Sequence, residues 1–564
     1  MKRTFVIAAA VAMGLAGMAL LLRKLQPDAP DADKEVSLPP AAALRATGRG
    51  ADRSIDDYRY RTAAAETQEV DRFWAQGAAA PAKGRRHPDI IAGEYVLSFF
   101  DEKDKAAFLR LLAARGGTLL GQMGFLHTVR VRVRSPEDFE ALLKEGPTPV
   151  RHSENFYTRS PEPWGRGKRD PESGYLAFLG KSLPWLGIDP NSASRGKGVT
   201  VAVLDSGVQS HPALRSAAVE AIDETGAEPA SAADAAHGTA VASLLAGQSA
   251  DVTGVVPDSR ILSVRVIGND GVGDTFTLAQ GIVDAADRGA QVINICLGSQ
   301  GDSFILQEAV AYARQKGAVV VASTGNDAVD GVLFPAAYDG VVAVSAVDAA
   351  GRHAYFANRG AEVDLSAPGI AVNAAWTNGT VAAFSGTSAA VPFVSGAIAL
   401  LLSENPGMSA EEAVRLLAQY ADDAGDPGRD DEYGAGILNV KRAEERNTRG
   451  IYDMAAGDLV VHEPARASDD MTVVLSVQNR GTESIYHVVL TVEAEGIASR
   501  MSYFNVQVGQ TLSHQLQINR ARLEQMGSVV ISYRARIDGK QDADPSNNGR
   551  RVTLSARRSQ KILF

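Results

Sequence analysis

Three segments, far apart in sequence, carry side chains that together could move an acyl group. Asp205 follows the run 199–204, suited throughout to burial, and precedes Ser206 and Gly207, which allow a sharp turn. His237 leads a stretch of small residues, 237–246, in which glycine and alanines would let an imidazole come close to a neighbouring backbone. Ser388 stands in Gly386-Thr387-Ser388-Ala389-Ala390-Val391-Pro392, ahead of the apolar helical run 393–402. Its hydroxyl is expected at or near a helix N-terminus, where free N–H groups and the positive dipole end favour a developing oxyanion. Pro392 is compatible with that placement in a first turn, where its missing N–H has no helical partner. A hydroxyl, an imidazole and a carboxylate suffice for nucleophilic acyl transfer. The imidazole takes the hydroxyl's proton during attack on a carbonyl and returns a proton to the leaving group, while the carboxylate holds the imidazole's tautomer. Singly, each residue has an ordinary reading as a turn aspartate, a helix-start histidine or an N-capping serine.

A scaffold must bring the three together. Between about 198 and 438, apolar runs at 199–204, 261–266, 292–297, 318–322 and 341–347 alternate with helical periods such as 277–288 and 305–316. Continuous apolar strands separated by helices predict an α/β domain, a parallel sheet with helices on both faces. Reactive groups then gather at the strands' carboxyl ends. Upstream, residues 88–160 read as a small α+β domain: a strand at 95–100, a helical period through Phe108, Leu109, Leu111 and Leu112, alternation at 128–133 and a short helix from Pro136. Residues 151–181, polar and proline-containing with Arg159, Arg166, Lys168 and Arg169, predict an exposed loop of the kind proteases cut. Downstream, alternating runs at 471–477, 487–492, 529–536 and 551–555 predict a C-terminal all-β sandwich. The expected divisions are 1–25, 26–87, 88–160, 175–447 and 455–560.

A chain of 564 residues exceeds what one core usually organises. Its net charge of −10 is spread along the sequence and offers no basic footprint for nucleic acid, so a protein substrate or partner is expected. The single cysteine, Cys296, cannot form an intramolecular disulfide. Lys2 and Arg3 precede an uncharged apolar run at 4–22, closed by Arg23 and Lys24. That layout predicts either an uncleaved membrane anchor or a cleaved signal peptide. Both export the downstream chain, to face the periplasm or exterior or to be secreted. Residues 26–87, rich in Ala, Pro, Asp and Arg, predict a flexible tether.

Together, Val203-Leu204-Asp205-Ser206-Gly207-Val208, His237-Gly238-Thr239-Ala240-Val241-Ala242 and the Ser388 segment resemble the three motifs of the subtilisin-like serine protease family, in that family's chain order. The resemblance spans about 185–443 and includes Gly254-Val255-Val256-Pro257, Leu333-Phe334-Pro335-Ala336-Ala337-Tyr338 and Leu365-Ser366-Ala367-Pro368-Gly369. It implies a serine endopeptidase with Asp205, His237 and Ser388 as the catalytic triad. It also assigns the oxyanion-hole amide to Asn326, in Ser323-Thr324-Gly325-Asn326. The walls of the pocket for the residue before the cut would be Cys296, Leu297 and Gly298 on one side and Ser323, Thr324 and Gly325 on the other. Cys296 departs from the serine expected there, as a buried inert thiol or as a pocket-lining one that makes activity sensitive to thiol reagents.

The resemblance further implies that residues 88–160 form an inhibitory propeptide, cut from the protease between about 155 and 181; a retained N-terminal domain is the other reading. The C-terminal segment resembles adhesion-type sandwich modules and would serve a cell-surface or protein partner, or only stability. No cofactor is required. Structural calcium is common in the family, and Asp422, Asp423, Asp426, Asp430, Asp431 and Glu432 supply oxygen donors, although such clusters also occur as solvated loops. A silent binding scaffold, or an acyl transferase or peptide ligase on the same triad, are the competing functions.

Overall fold

The structure is a computed structural model that describes residues 89–160, 175–192, 194–462, 470–494 and 496–555. The apolar run 4–22 and the segment 26–87 lie outside the described residues.

The N-terminal portion comprises β1 (Ile90–Ser98), α1 (Glu102–Ala114), β2 (Thr118–Met123), β3 (Thr128–Arg132), α2 (Pro136–Glu145) and β4 (Arg151–Arg159). Asp101 caps α1 by accepting from the Asp104 N–H at 2.8 Å, and Ser135 caps α2, whose first residue is a proline. Both helices lay their apolar faces on one side of the sheet, where Phe108, Leu112, Phe139 and Leu142 form one core with Leu97, Val129 and Val131.

Strand β4 corrects the expectation of a loop beginning at 151. It pairs antiparallel with β1 and, at Tyr157, Thr158 and Arg159, with β8 (Val272–Asp274) of the following domain. The polar composition of 151–159 conceals this strand because backbone groups make the pairings, and its buried Asn155 is satisfied by side chains distant in sequence. Residues 161–174 of the expected loop lie outside the described residues.

The central domain runs through β5 (Thr200–Asp205), β6 (Ala218–Asp223), α3 (Ala236–Ala246), β7 (Arg260–Arg265), β8, α4 (Thr275–Asp287), β9 (Val292–Ile295), α5 (Phe304–Gln315), β10 (Val319–Ser323), β11 (Val341–Val347), β12 (Val363–Pro368), β13 (Val372–Ala375), β14 (Val381–Phe384), α6 (Thr387–Glu404), α7 (Ala410–Gln419) and α8 (Val440–Glu445). Seven strands form a parallel sheet in the order β12-β11-β10-β9-β5-β7-β6. The period of two divides each strand between two cores. Along β5, Val201 and Val203 pack with α3 and α6, while Ala202 and Leu204 pack with α4 and α5. This is the expected α/β architecture.

Strands β15 (Met454–His462), β16 (Met471–Asn479), β17 (Ile485–Ala494), β18 (Ile497–Val506), β19 (Thr511–Ile518), β20 (Ser528–Ile537) and β21 (Gly549–Ser555), with α9 (Arg520–Met526), form two antiparallel sheets ordered β15-β16-β19 and β18-β17-β20-β21. Val473 and Leu475 of the first sheet share a core with Val488, Leu490, Ile531 and Tyr533 of the second. Among the described residues one helix, α6, is long and apolar enough to cross a membrane, and it is the buried central helix of the parallel sheet's core.

Candidate active site

Asp205 ends β5 at the sheet's carboxyl edge and is fully buried. Beyond it, Gly207 takes a φ of 93° that favours glycine. The turn lets α3 approach closely: a Cβ added at Gly238 would fall 2.3 Å from the Gly207 carbonyl oxygen and 3.2 Å from Asp205 Cβ. His237, the second residue of α3, thereby meets Asp205, with its Nδ1 2.9 Å from each carboxylate oxygen. Asp205 Oδ1 also accepts the Ser206 N–H at 2.7 Å. This arrangement puts the proton on Nδ1 and leaves Nε2 as the basic lone pair. Nε2 is buried and has no hydrogen-bond partner. Phe384 stands edge-on to the ring at 5.4 Å.

Ser388 is the second residue of α6. The helix begins earlier than the apolar run suggests, so Pro392 is its sixth residue and lies past the first turn. An N–H at 392 would have bonded the Ser388 carbonyl; proline supplies none. The Cys296 thiol takes that place, donating to the Ser388 carbonyl at 3.4 Å, while Asn294 donates to the sulfur at 3.2 Å. Ser395, on the same helix, donates to Asn294 Oδ1 at 2.9 Å and ties α6 to β9. Cys296 is fully buried, and burial, followed by the Asp205 charge, pushes its thiol pKa up. Its side chain packs within the hydrophobic core shared with α3 and α6. The Ser388 hydroxyl donates to the Cys296 carbonyl at 3.4 Å.

Asn326 follows β10 after Gly325, whose φ is 111°. Its Oδ1 accepts from both the N–H and the hydroxyl of Thr387, each at 2.9 Å, which assigns the amide's orientation and leaves Nδ2 without a partner. A Cβ added at Gly386 would lie 2.9 Å from Asn326 Nδ2 and 3.7 Å from the Ser388 N–H nitrogen. Both N–H donors therefore lie near one point at Gly386.

Cys296, Leu297 and Gly298 run on from β9, and Ser323, Thr324 and Gly325 end β10 or follow it; all six are buried. Gly298 exchanges two backbone hydrogen bonds with Arg159, both 3.0 Å, while Arg159 also lies opposite Val272 of β8. The end of β4 is thus held between two extended edges beside the Ser388 region.

Asp422 pairs with Arg442 at 2.9 Å and Arg480 at 3.4 Å, one oxygen of Asp423 accepts the Gly428 N–H, and one of Asp430 accepts two backbone N–H groups. Among the described residues, no three His, Cys, Asp or Glu side chains converge to hold a metal.

Comparison with known proteins agrees with this geometry. Residues 196–436 match the model of the subtilase family. The chain is 36% identical over 292 residues to the thermostable alkaline protease of Halalkalibacterium halodurans, covering 49% of this chain and 79% of that protein. To subtilisin BL of Lederbergia lenta it is 36% identical over 272 residues, 47% of this chain and 99% of the relative. Fervidolysin from Fervidobacterium pennivorans, a keratinolytic enzyme related to subtilisin, superposes with a TM-score of 0.55 at 20% identity, covering 84% of this chain and 77% of that one, a likeness of fold. With the relatives' sequence covered so extensively and the buried Asp205–His237 pair in place, this chain belongs to the subtilase family, the subtilisin-like serine proteases.

Proposed function

We propose that the chain is a serine endopeptidase that cuts protein substrates through Asp205, His237 and Ser388. The observation that carries this reading is the imidazole fixed at Nδ1 by both oxygens of a buried carboxylate, with a free Nε2. In the reaction, Ser388 Oγ swings from the Cys296 carbonyl toward Nε2, gives up its proton and attacks the scissile carbonyl; contacts of this kind tighten when substrate binds. Asn326 Nδ2 and the Ser388 N–H receive the oxyanion. His237 then protonates the leaving amine, and water, activated by the same imidazole, hydrolyses the acyl-enzyme.

Residues 296–298 and 323–325 serve as the walls for the residue before the cut. An extended substrate adds as a strand to Gly298 and β8, so backbone pairing supplies much of the binding. Those edges are the ones that Arg159 and its neighbours occupy, which supports residues 88–160 as an inhibitory propeptide, with the processing site after 159. The apolar run 4–22 with its basic flanks supports export, as an anchor or a signal. The C-terminal sheets are assigned a partner-binding or stabilising role.

The test is to express residues after Lys24 as wild type and as Ser388→Ala, and to compare casein cleavage and each protein's own N-terminus by mass spectrometry. Casein cleavage by wild type alone, with a new N-terminus after residue 159, supports an autoprocessed protease. Full-length wild type that cuts nothing, even after trypsin treatment, leaves the silent scaffold. Transfer of a peptide acyl group to an added amine in preference to water identifies a ligase.

A further inference from the structure

The two walls are bridged by a side chain that neither motif contains. Leu333 follows the β10 region by several residues and sits, half-buried, between Gly298 and Gly325. A Cβ added at Gly298 would fall 2.8 Å from Leu333 Cβ and 3.0 Å from its Cδ1, and one added at Gly325 would fall 3.0 Å from both Leu333 Cγ and Cδ1. The backbone fixes it there. The Leu333 N–H donates to the Thr324 carbonyl at 3.1 Å, and the next residue, Phe334, exchanges two 2.9 Å hydrogen bonds with Ser299. Two consecutive residues thus tie into both walls, and Leu333 has little freedom to withdraw. On the far wall, the Asn358 amide nitrogen lies 2.5 Å from the position of a Gly325 Cβ, with its own backbone N–H bonded to the Gly325 carbonyl at 3.0 Å.

We infer that Leu333 closes the gap between the walls and restricts cleavage to bonds that follow a small residue, such as glycine, alanine or serine. This rests on the proposed reading of segments 296–298 and 323–325 as the walls of that pocket. The physical reason is steric exclusion. A benzyl or isobutyl side chain entering the gap would meet Leu333 carbons already in van der Waals contact with the walls, and close-packed surroundings yield poorly to added volume. A methyl or hydroxymethyl group needs no such displacement. Selectivity by a clash against the larger competitor is an efficient way to discriminate.

The test uses the active protein produced from the full chain, with concentrations normalised by fluorophosphonate titration. Tetrapeptide p-nitroanilides that differ only in the residue before the anilide (Ala, Leu or Phe) are compared by kcat/KM. Wild type is expected to favour Ala over Phe roughly tenfold or more. Leu333→Gly should raise the ratio of kcat/KM for the Phe substrate to that for the Ala substrate by about tenfold. Leu333→Ala, which keeps a β-carbon at this position, should fall between wild type and the glycine variant and stands in if the glycine variant does not fold. Wild type that cuts the Phe substrate as well as the Ala one overturns the inference, as does a Leu333→Ala ratio equal to that of wild type. Failure of the protease reading looks different: wild type takes up no fluorophosphonate and cuts none of the substrates, and the inference falls with it.

Discussion

At the scale of single residues, the proposed mechanism uses Asn326 as a donor only when negative charge develops. Asn326→Leu should lower kcat by about 10²–10³, the loss known for the equivalent amide of subtilisin itself, with KM little changed. Steady-state kinetics on one peptide substrate check this; a rise in KM alone would assign Asn326 to substrate binding. Cys296 acts differently, through the Ser388 carbonyl that Pro392 leaves without a helical donor. Cys296→Val removes the donor at similar volume and should cost about 1 kcal/mol, or roughly fivefold in kcat, whereas Cys296→Ser should restore activity. Equal losses in both variants would make the thiol a packing group only. Because the sulfur is fully buried, bulky thiol reagents should leave the folded enzyme active.

At the scale of elements, the N-terminal portion is joined to α4 by a buried polar cluster. Asn155 donates to Glu94 and to Asp274, both at 3.1 Å, and accepts from Thr275 Oγ and the Phe276 N–H, so it satisfies donors at the start of α4. Arg130 bonds Glu94 at 2.8 Å and Asp274 at 2.7 Å. Burial alone would raise the Glu94 pKa, but hydrogen bonds from Arg130 and Asn155 and the Arg130 charge outweigh it and hold it below the usual carboxylate value. A carboxyl lowered in the folded state contributes stability above its unfolded pKa, about 4.5, and loses it as pH falls further. Asn155→Leu should therefore loosen the N-terminal portion, bringing casein activity on sooner after synthesis and speeding its tryptic removal from the Ser388→Ala chain. An unchanged time course in both assays would contradict the coupling. The same elements show what a sequence can reveal. Strand β11 coincides with its apolar run, and the pattern around β5 locates Asp205 at a sheet edge, because burial on both faces leaves a continuous apolar signal. β4 and β8 leave no such signal, since their pairings are made by backbone. Pro392 and Leu333 were legible as residues, but their consequences depend on where α6 begins and which walls approach the 333–334 peptide.

At the scale of the whole molecule, the catalytic domain meets the C-terminal sheets through a polar interface. Gln478 of β16 accepts from the Asp423 N–H and donates to the Ala421 carbonyl, each at 3.1 Å, and Asp458 of β15 accepts from the Gly425 N–H at 3.3 Å. Burial, aided by the charges of Asp430 and Asp458, pushes Asp423 up to about 7. Its folded pKa exceeds the unfolded value of 3.8, so its contribution favours folding most in acid and is lost progressively as pH rises from about 4 to about 7. Asp423→Asn should accordingly raise the melting temperature more at pH 8 than at pH 5, by calorimetry; a larger gain at pH 5 would refute this assignment. The claim on which the rest depends is that Ser388, activated by His237 and Asp205, is the nucleophile. Its most direct test is to treat the wild-type protein and His237→Ala with a fluorophosphonate and map the adduct by peptide mass spectrometry. One adduct, on Ser388, is predicted in wild type, with its loss in His237→Ala; an adduct on another residue, or equal labelling of both proteins, would contradict that claim.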